Sequence, residues 1–360
     1  MPGWSIPPSE SAKQKRNPEP RSEPPVQPHE AERTRTGYTV KVSKHLLVAI
    51  LVASSVLAPG ALGSETHSSA SAGGTQGGKA AQGSPANTAV RRVNPTRAMQ
   101  YVREVVQIGS RPVGSAGHKK TEAYIRSKLR GDQVEEDVFT ADTPGGKFEM
   151  RNIIAKYPGT RDGVIVIASH YDTNLPLKNY VGANDGGSST GLLLELANHF
   201  RGKKREGYAV WLLWTDGEEA LQKWSATDSL YGSRHLADKW QQDGTLKKIR
   251  AFVLLDMIGD ADLNVDRDMN STPWLEDLVG QAAAHLGYQS HFFARVIQID
   301  DDHLPFARMQ VPVADLIDFT YGYNNVFHHT SEDTLDKLSP TSLEIVGNTV
   351  LETVRLLDAR

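Results

Sequence analysis

Residues 208–220 read YAVWLLWTDGEEA, and they decide the fold. The first seven are apolar without alternation, the pattern of a strand covered on both faces. The run then meets three acids, Asp216, Glu218 and Glu219, two of them adjacent. Carboxylates at the end of a buried strand cost free energy unless a positive charge sits among them. Outward from this stretch the pattern repeats. Apolar runs lie at 151–157 (RNIIAKY), 164–168 (VIVIA), 250–256 (RAFVLLD) and 311–317 (VPVADLI). Helical spacing lies between and after them, at 189–200, 229–241, 273–286 and 341–357. Upstream, PTRAMQYVREVVQIG places Met99, Val102, Val105 and Val106 on one helical face, and a glycine-rich turn leads into a second amphipathic helix ending near Gly131. Strands alternating with helices predict an α/β sheet covered on both faces, in one domain over 94–360 with no internal repeat.

The region before that domain has another character. Residues 1–40 are rich in Pro, Glu, Arg and Ser and cannot bury a core. In 41–63, Lys41 and Lys44 precede a short apolar run, Leu46 to Leu57, followed by Pro59, Gly60 and small residues. That is the layout of a secretory signal, with a cut after Gly63. The alternative is a single uncleaved anchor through 46–62. Residues 64–93 read as low-complexity linker. The expectation is an exported catalytic domain, periplasmic or secreted, with the membrane involved only through that segment.

The 360 residues carry a formal net charge of −3 and a mean hydropathy of −0.43. Nothing in that balance suggests nucleic-acid binding. There is no cysteine, so a metal here must be held by His, Asp and Glu. Those residues stand where strands end, the edge at which open α/β sheets gather ligands. VIVIASHYD ends in His170 and Asp172. Asp185 follows a glycine-rich loop and precedes a helix. WLLWTDGEEA ends in Glu218 and Glu219, FVLLDMIGD carries Asp256, and FHHTSEDT supplies His328 and His329. Each has an ordinary reading, as turn chemistry at Asp185 or a helix start at DGEE. One cation accounts for all of them together, and histidine plus carboxylate without sulfur points to a catalytic Zn²⁺. Neighbouring side chains in extended backbone point apart, so one of Glu218 and Glu219 can bind metal while the other moves protons. His199, His235, His285 and His291 read as ordinary structural or surface residues.

The order His-x-Asp, Asp, Glu-Glu, Asp, His resembles the co-catalytic zinc aminopeptidases of the bacterial leucyl aminopeptidase type. That resemblance implies a zinc exopeptidase-like, three-layer α/β/α sandwich with a mixed, mainly parallel sheet. It matches His170, Asp185, Glu219, Asp256 and His329 to the metal-ligand positions, Glu218 to the general base, and Asp172 to the acid that orients the first histidine. Two longer stretches, DGEEALQKWSATDSLYGSRHLA (216–237) and VIQIDDDHLPFARMQVPVADLI (296–317), resemble the glutaminyl-peptide cyclotransferases, or glutaminyl cyclases. This likeness implies one zinc ion held by Asp185, Glu219 and His329, with His170 present but idle. It makes Glu218 the acid/base, places Asp256 and Asp301 in an acidic network beside the metal, and sets Trp224 against the substrate. The implied substrates are peptides with N-terminal glutamine. Two positions depart from the animal enzymes. Asp315 replaces a histidine of the network and His328 replaces a tryptophan, and both are carried here as substrate-side candidates. An extra residue in VIQIDDDH is aligned so that Asp301 is the functional acid and His303 a structural neighbour. The alternative reading is a two-zinc aminopeptidase that uses all five ligands and hydrolyses N-terminal residues from peptides. A silent binding domain would need a broken constellation, and Glu218 and every ligand are intact.

Overall fold

The computed structural model describes residues 92–174, 177 and 179–360. The leader, the signal-like segment and the linker up to residue 91 lie outside the described residues. The central sheet has six strands: β1 (Gln133–Thr143), β2 (Gly146–Tyr157), β3 (Gly159–His170), β4 (Arg205–Thr215), β5 (Ile249–Asp256) and β8 (Val313–Ile317). Their order is β1-β2-β4-β3-β5-β8. The β4–β3, β3–β5 and β5–β8 pairs are parallel, and β1–β2 and β2–β4 antiparallel, so the sheet is mixed and mainly parallel. A second sheet pairs β6 (Val265–Asp268) with β7 (Phe292–Ile297).

Period-two alternation along the strands divides the core into two layers. Ile165 and Ile167 of β3 pack into the larger layer with Leu212, Trp214, Val253 and Leu255. The helices of that layer are α1 (Pro95–Ile108), α3 (Gly187–Phe200), α5 (Pro273–His285) and α7 (Pro340–Asp358). Val164 and Val166 face the other way, against α4 (Tyr231–Gln242) and α6 (Leu304–Arg308), where Phe252 stacks on Phe306 at 4.3 Å. The helix α2 (Ala116–Lys128) completes the elements. Helices on both faces of one sheet give the expected three-layer sandwich.

All five expected strands and all six expected helices are present, with ends displaced by a few residues. The unexpected elements are β1, β6, β7 and α6. β1 is an edge strand, QVEEDVFTADT, in which only Asp137 and Ala141 are buried, so it lacks the apolar run that marks a central strand. β6 spans four residues and α6 five, too short for a periodic signal. Among the described residues no helix is long and apolar enough to cross a membrane. The parallel strands present their carboxyl ends at one edge. His170 is paired beside Thr215, and Asp256 beside Ile317.

Candidate active site

His170 ends β3, Asp256 ends β5, and the Glu218–Glu219 pair lies three residues beyond β4. Asp185 sits just before α3, and His329 in the loop before α7. The structure brings all of them together, with Asp185 in the middle. Its Oδ1 is 3.1 Å from His170 Nε2 and its Oδ2 is 3.3 Å from His329 Nε2. His329 Nε2 also lies 3.2 Å from Glu219 Oε1, and His170 Nε2 lies 3.2 Å from Asp256 Oδ1. Asp185 is therefore shared by two half-sites, one with Glu219 and His329, the other with His170 and Asp256.

The backbone around these residues is held in unusual conformations. Gly186 has φ 69°, and a Cβ there would lie 2.8 Å from His170 Cε1, so only glycine leaves room for the ring. His329 (φ 54°) and Met257 (φ 48°), which follows Asp256, are left-handed without being glycine, a conformation that persists only where surroundings enforce it. Two buried carboxylates hold the backbone of the acid pair and of the turn before α3. Asp172 accepts the N–H groups of Glu218 (3.1 Å) and Glu219 (3.3 Å). Asp333 accepts those of Asn184 (2.7 Å) and Asp185 (3.2 Å) and the hydroxyl of Tyr321 (2.8 Å). The expectation that Asp172 orients His170 is met only loosely, with Oδ1 3.6 Å from His170 Nδ1. Its closer contacts are to the acid pair. The Arg111 guanidinium, fully buried, donates to the carbonyls of Tyr171, Val181 and Gly182 and braces the loop that carries Asp185. Tyr180 donates its hydroxyl to Asp185 Oδ2, and Asn174 donates to Glu219 Oε2 at 2.9 Å.

The electrostatics state a demand for positive charge. Asp185, Glu218, Glu219, Asp256 and Asp301 are all buried, and no hydrogen bond or ion pair among the described residues joins their carboxylates to a lysine or arginine. Burial, reinforced by Asp301 and Glu219, pushes Glu218 well above the usual carboxylate range. Burial and Asp256 do the same to Asp301. Against the burial that opposes it, Asp185 is held well below that range by the imidazoles of His170 and His329. In return, and again against burial, Asp185 and Glu219 push His329 up to about 11. The upward push on His170 and His329 expresses the same demand for positive charge that a divalent cation would meet. Buried imidazole and carboxylate oxygens converging without sulfur fit such a cation. Asp185, Glu219 and His329 could hold one ion, and His170 and Asp256 offer further donors on the other side of Asp185.

The cluster opens into a pocket of about 520 Å³ lined by Asp185, Glu218, Asp256, Asp301, His328 and His329, with Trp224 and Phe319 among its apolar walls. Of the sequence-derived candidates, Trp224 and His328 thus line the pocket. Trp224 is 38% exposed, on a loop whose shape is set by Asp228, which accepts the N–H groups of Leu221, Gln222 and Lys223 at 2.8–2.9 Å. His328 stacks on His329 with ring centroids 3.8 Å apart, and burial lowers its pKa. Glu219 and His170 lie behind this lining, against the residues that form it. Asp315 is the correction. It was expected on the substrate side, yet it is fully buried and absent from the pocket wall, with Oδ2 3.5 Å from His303 Nδ1. The wall is reached two and four residues later, by Ile317 and Phe319 at and beyond the end of β8, while Asp315 lies one pleat deeper.

Sequence reasoning missed Asp333, Asp228, Arg111, Tyr180 and Asn174. Arg111 and Asp333 carry no local signal, because apart from the Tyr321 hydroxyl on Asp333 the partners of their side chains are backbone groups far along the chain.

This sandwich, with histidines and acids gathered at the carboxyl ends of its parallel strands, is a zinc exopeptidase-like fold. Residues 152–354 match Peptidase family M28, and the chain belongs to that family. It is 32% identical over 247 residues to a glutaminyl-peptide cyclotransferase of Drosophila melanogaster, covering 60% of this chain and 70% of the relative. It is 33% identical to a glutaminyl-peptide cyclotransferase-like protein of Bos taurus, covering 65% and 68%. Among solved structures, an Acidobacteriales bacterium glutaminyl cyclase superposes with a TM-score of 0.76 and 53% identity, over 78% of this chain and 100% of that one.

Proposed function

We propose that the chain is a zinc-dependent glutaminyl-peptide cyclotransferase, which closes the N-terminal glutamine of peptides to pyroglutamate with release of ammonia. The observation that carries this is the 53% identity to a glutaminyl cyclase over the whole of that structure. It is supported by a pocket that sets Glu218 beside Asp185 and His329, with Trp224 in the wall. One zinc ion at Asp185, Glu219 and His329 would supply a Lewis acid that polarises the glutamine side-chain carbonyl.

The remaining work falls to the protein. Glu218 takes a proton from the α-amine, which then attacks the side-chain carbonyl carbon. The new N–C bond closes a five-membered lactam. Glu218 returns the proton to the departing nitrogen, the C–N bond breaks, and ammonia leaves. A carboxyl whose environment favours the protonated form is suited to that return step. Both reacting groups belong to one residue, so catalysis is mainly a matter of orientation. Trp224 offers the flat apolar wall for it, and Asp256 and Asp301 surround Glu218 with an acidic network. The layout of residues 41–63 supports action outside the cytoplasm, as a secreted or periplasmic domain.

A second reading, two-zinc hydrolysis of N-terminal residues, is favoured by the completeness of both half-sites around Asp185. One experiment separates them. Residues 88–360 are loaded with zinc and given a short peptide with N-terminal glutamine, and the products are weighed. The cyclase reading expects an intact peptide lighter by one ammonia. Free glutamine and a shortened peptide would establish hydrolysis instead.

A further inference from the structure

Of the described residues lining the pocket, three are exposed: Trp224, Gln298 and Asp300. They form its mouth, past which any peptide chain beyond the first residue must leave. One is aromatic, one an amide and one an acid, and among the described residues no lysine or arginine lines the pocket. Asp300 differs from the other lining acids. Asp185, Glu218, Asp256 and Asp301 are buried, and they are engaged with histidines, with backbone N–H groups or with one another. Asp300 makes no hydrogen bond or ion pair with any described residue. Its neighbour Ile299 is half-buried and Asp301 buried, so the chain rises out of the pocket floor to present Asp300 at the rim. Among the described residues it is the one formal charge at the mouth left for a substrate to meet.

We propose that Asp300 selects among peptide substrates by charge, favouring a basic side chain directly after the N-terminal glutamine and disfavouring an acidic one. This rests on the cyclotransferase reading. A single exposed charge pair is worth little in water, and repulsion of an acid at the same place is of similar size. The two effects oppose each other across a substrate series, so the expected contrast between lysine and glutamate at the second position is roughly three- to tenfold in kcat/KM at low salt. It falls as ionic strength rises, because the pair is solvated and screened. The contrast lies mainly in KM, since Asp300 touches the part of the peptide that does not react.

The test compares three otherwise identical peptides, beginning Gln-Lys, Gln-Ala and Gln-Glu, on the zinc-loaded chain, on Asp300→Asn and on Asp300→Lys. The wild-type order should be Lys, Ala, Glu. The spread should collapse in Asp300→Asn and invert in Asp300→Lys. A flat series in the wild type, or an unchanged spread in Asp300→Asn, would overturn the proposal. Binding of the same peptides to Glu218→Gln, followed by calorimetry, reads the preference without turnover. If nothing is cyclised but the binding order holds and depends on Asp300, charge selection stands and the reaction assigned above is wrong. If peptides are cyclised with no order in either readout, the reaction stands and charge selection falls.

Discussion

Among the described residues, two of the buried clusters of histidines and acids share their residue types and differ in one respect. Asp185, Glu219, His329, His170 and Asp256 lie at the carboxyl edge of the sheet, behind a pocket of about 520 Å³. Asp268, His303 and Asp315 lie beneath it, at 1%, 0% and 0% exposure. In both, an imidazole stands between carboxylates at ion-pair distance; His303 is 3.1 Å from Asp268 and 3.5 Å from Asp315. In the sealed cluster neither ring nitrogen of His303 nor either oxygen of Asp315 has a well-directed hydrogen bond. Donor chemistry is therefore shared, and access separates a reactive site from a structural one. A third group borders a separate groove and is spent on internal hydrogen bonds instead. His118 Nε2 meets Asp216 Oδ1 at 2.6 Å, the other oxygen of Asp216 accepts the Arg151 N–H at 2.6 Å, and that acid of the DGEE stretch is a satisfied structural element.

The largest expected effect falls on the open cluster. Glu218→Gln keeps the shape of the side chain and removes its proton exchange. Turnover should fall by roughly 10²–10⁴ while zinc content and melting temperature stay near wild type. Unchanged turnover would remove Glu218 from the role of acid/base. The sealed cluster should respond in the opposite manner. His303→Ala leaves Asp268 and Asp315 facing each other without the ring between them, and breaking a buried pair in this way costs about 3 kcal/mol or more. The expected outcome is a large fall in denaturant midpoint, with zinc per folded molecule unchanged. Loss of zinc in that variant, with stability intact, would mean that the two clusters are one site.

A smaller effect tests a buried acid that borders the sealed cluster through the Asp268 N–H. Glu276 is buried in α5, and its pKa is pushed up to about 7 by burial, with Arg267 only partly offsetting it. Its folded pKa is raised, so its contribution to stability is fully present below the unfolded value and is lost as pH rises through about 7. Glu276→Gln removes that loss and retains an acceptor for the Asp268 N–H, which Glu276 Oε1 now accepts at 2.9 Å. Relative to wild type, the variant should gain roughly 1 kcal/mol, or about 2–4 °C, between pH 5 and pH 8. A difference between the two proteins that does not vary with pH would refute the assignment.

The contrast between clusters also explains what could be read from the sequence. Continuous apolar runs marked the buried strands, and the acids and histidines that end those runs marked the cluster at the sheet edge, because both signals are local. Trp224 and His328 came from longer likeness and do line the pocket. Asp315 came the same way and does not, because β8 is buried on both faces and nothing in VADLI tells which residue lies at the rim. Asp172 was visible as part of His-x-Asp, yet its nearest partners, the N–H groups of Glu218 and Glu219, lie more than forty residues on. Asp333 and Arg111 could not be found at all. Apart from the Tyr321 hydroxyl on Asp333, the partners of these side chains are backbone groups, and backbone carries no sequence signature.

The smallest effect is expected at Trp224, where the open site meets solvent. The indole is 38% exposed, and the loop that presents it is shaped by Asp228, not by the ring. Trp224→Ala should leave the melting temperature within about 2 °C, as for other surface changes that touch no cap or core. The ring's contribution is to substrate, as an apolar wall worth roughly 1 kcal/mol, so KM should rise about fivefold. The split between constants decides what the wall does. A rise in KM with kcat unchanged means that the ring holds the glutamine equally well before and during lactam closure. An equal fall in kcat and kcat/KM means that it acts only as the amine approaches the carbonyl carbon. Orientation would then be shared between the open cluster and its apolar wall, with Glu218 supplying the proton and Trp224 the approach.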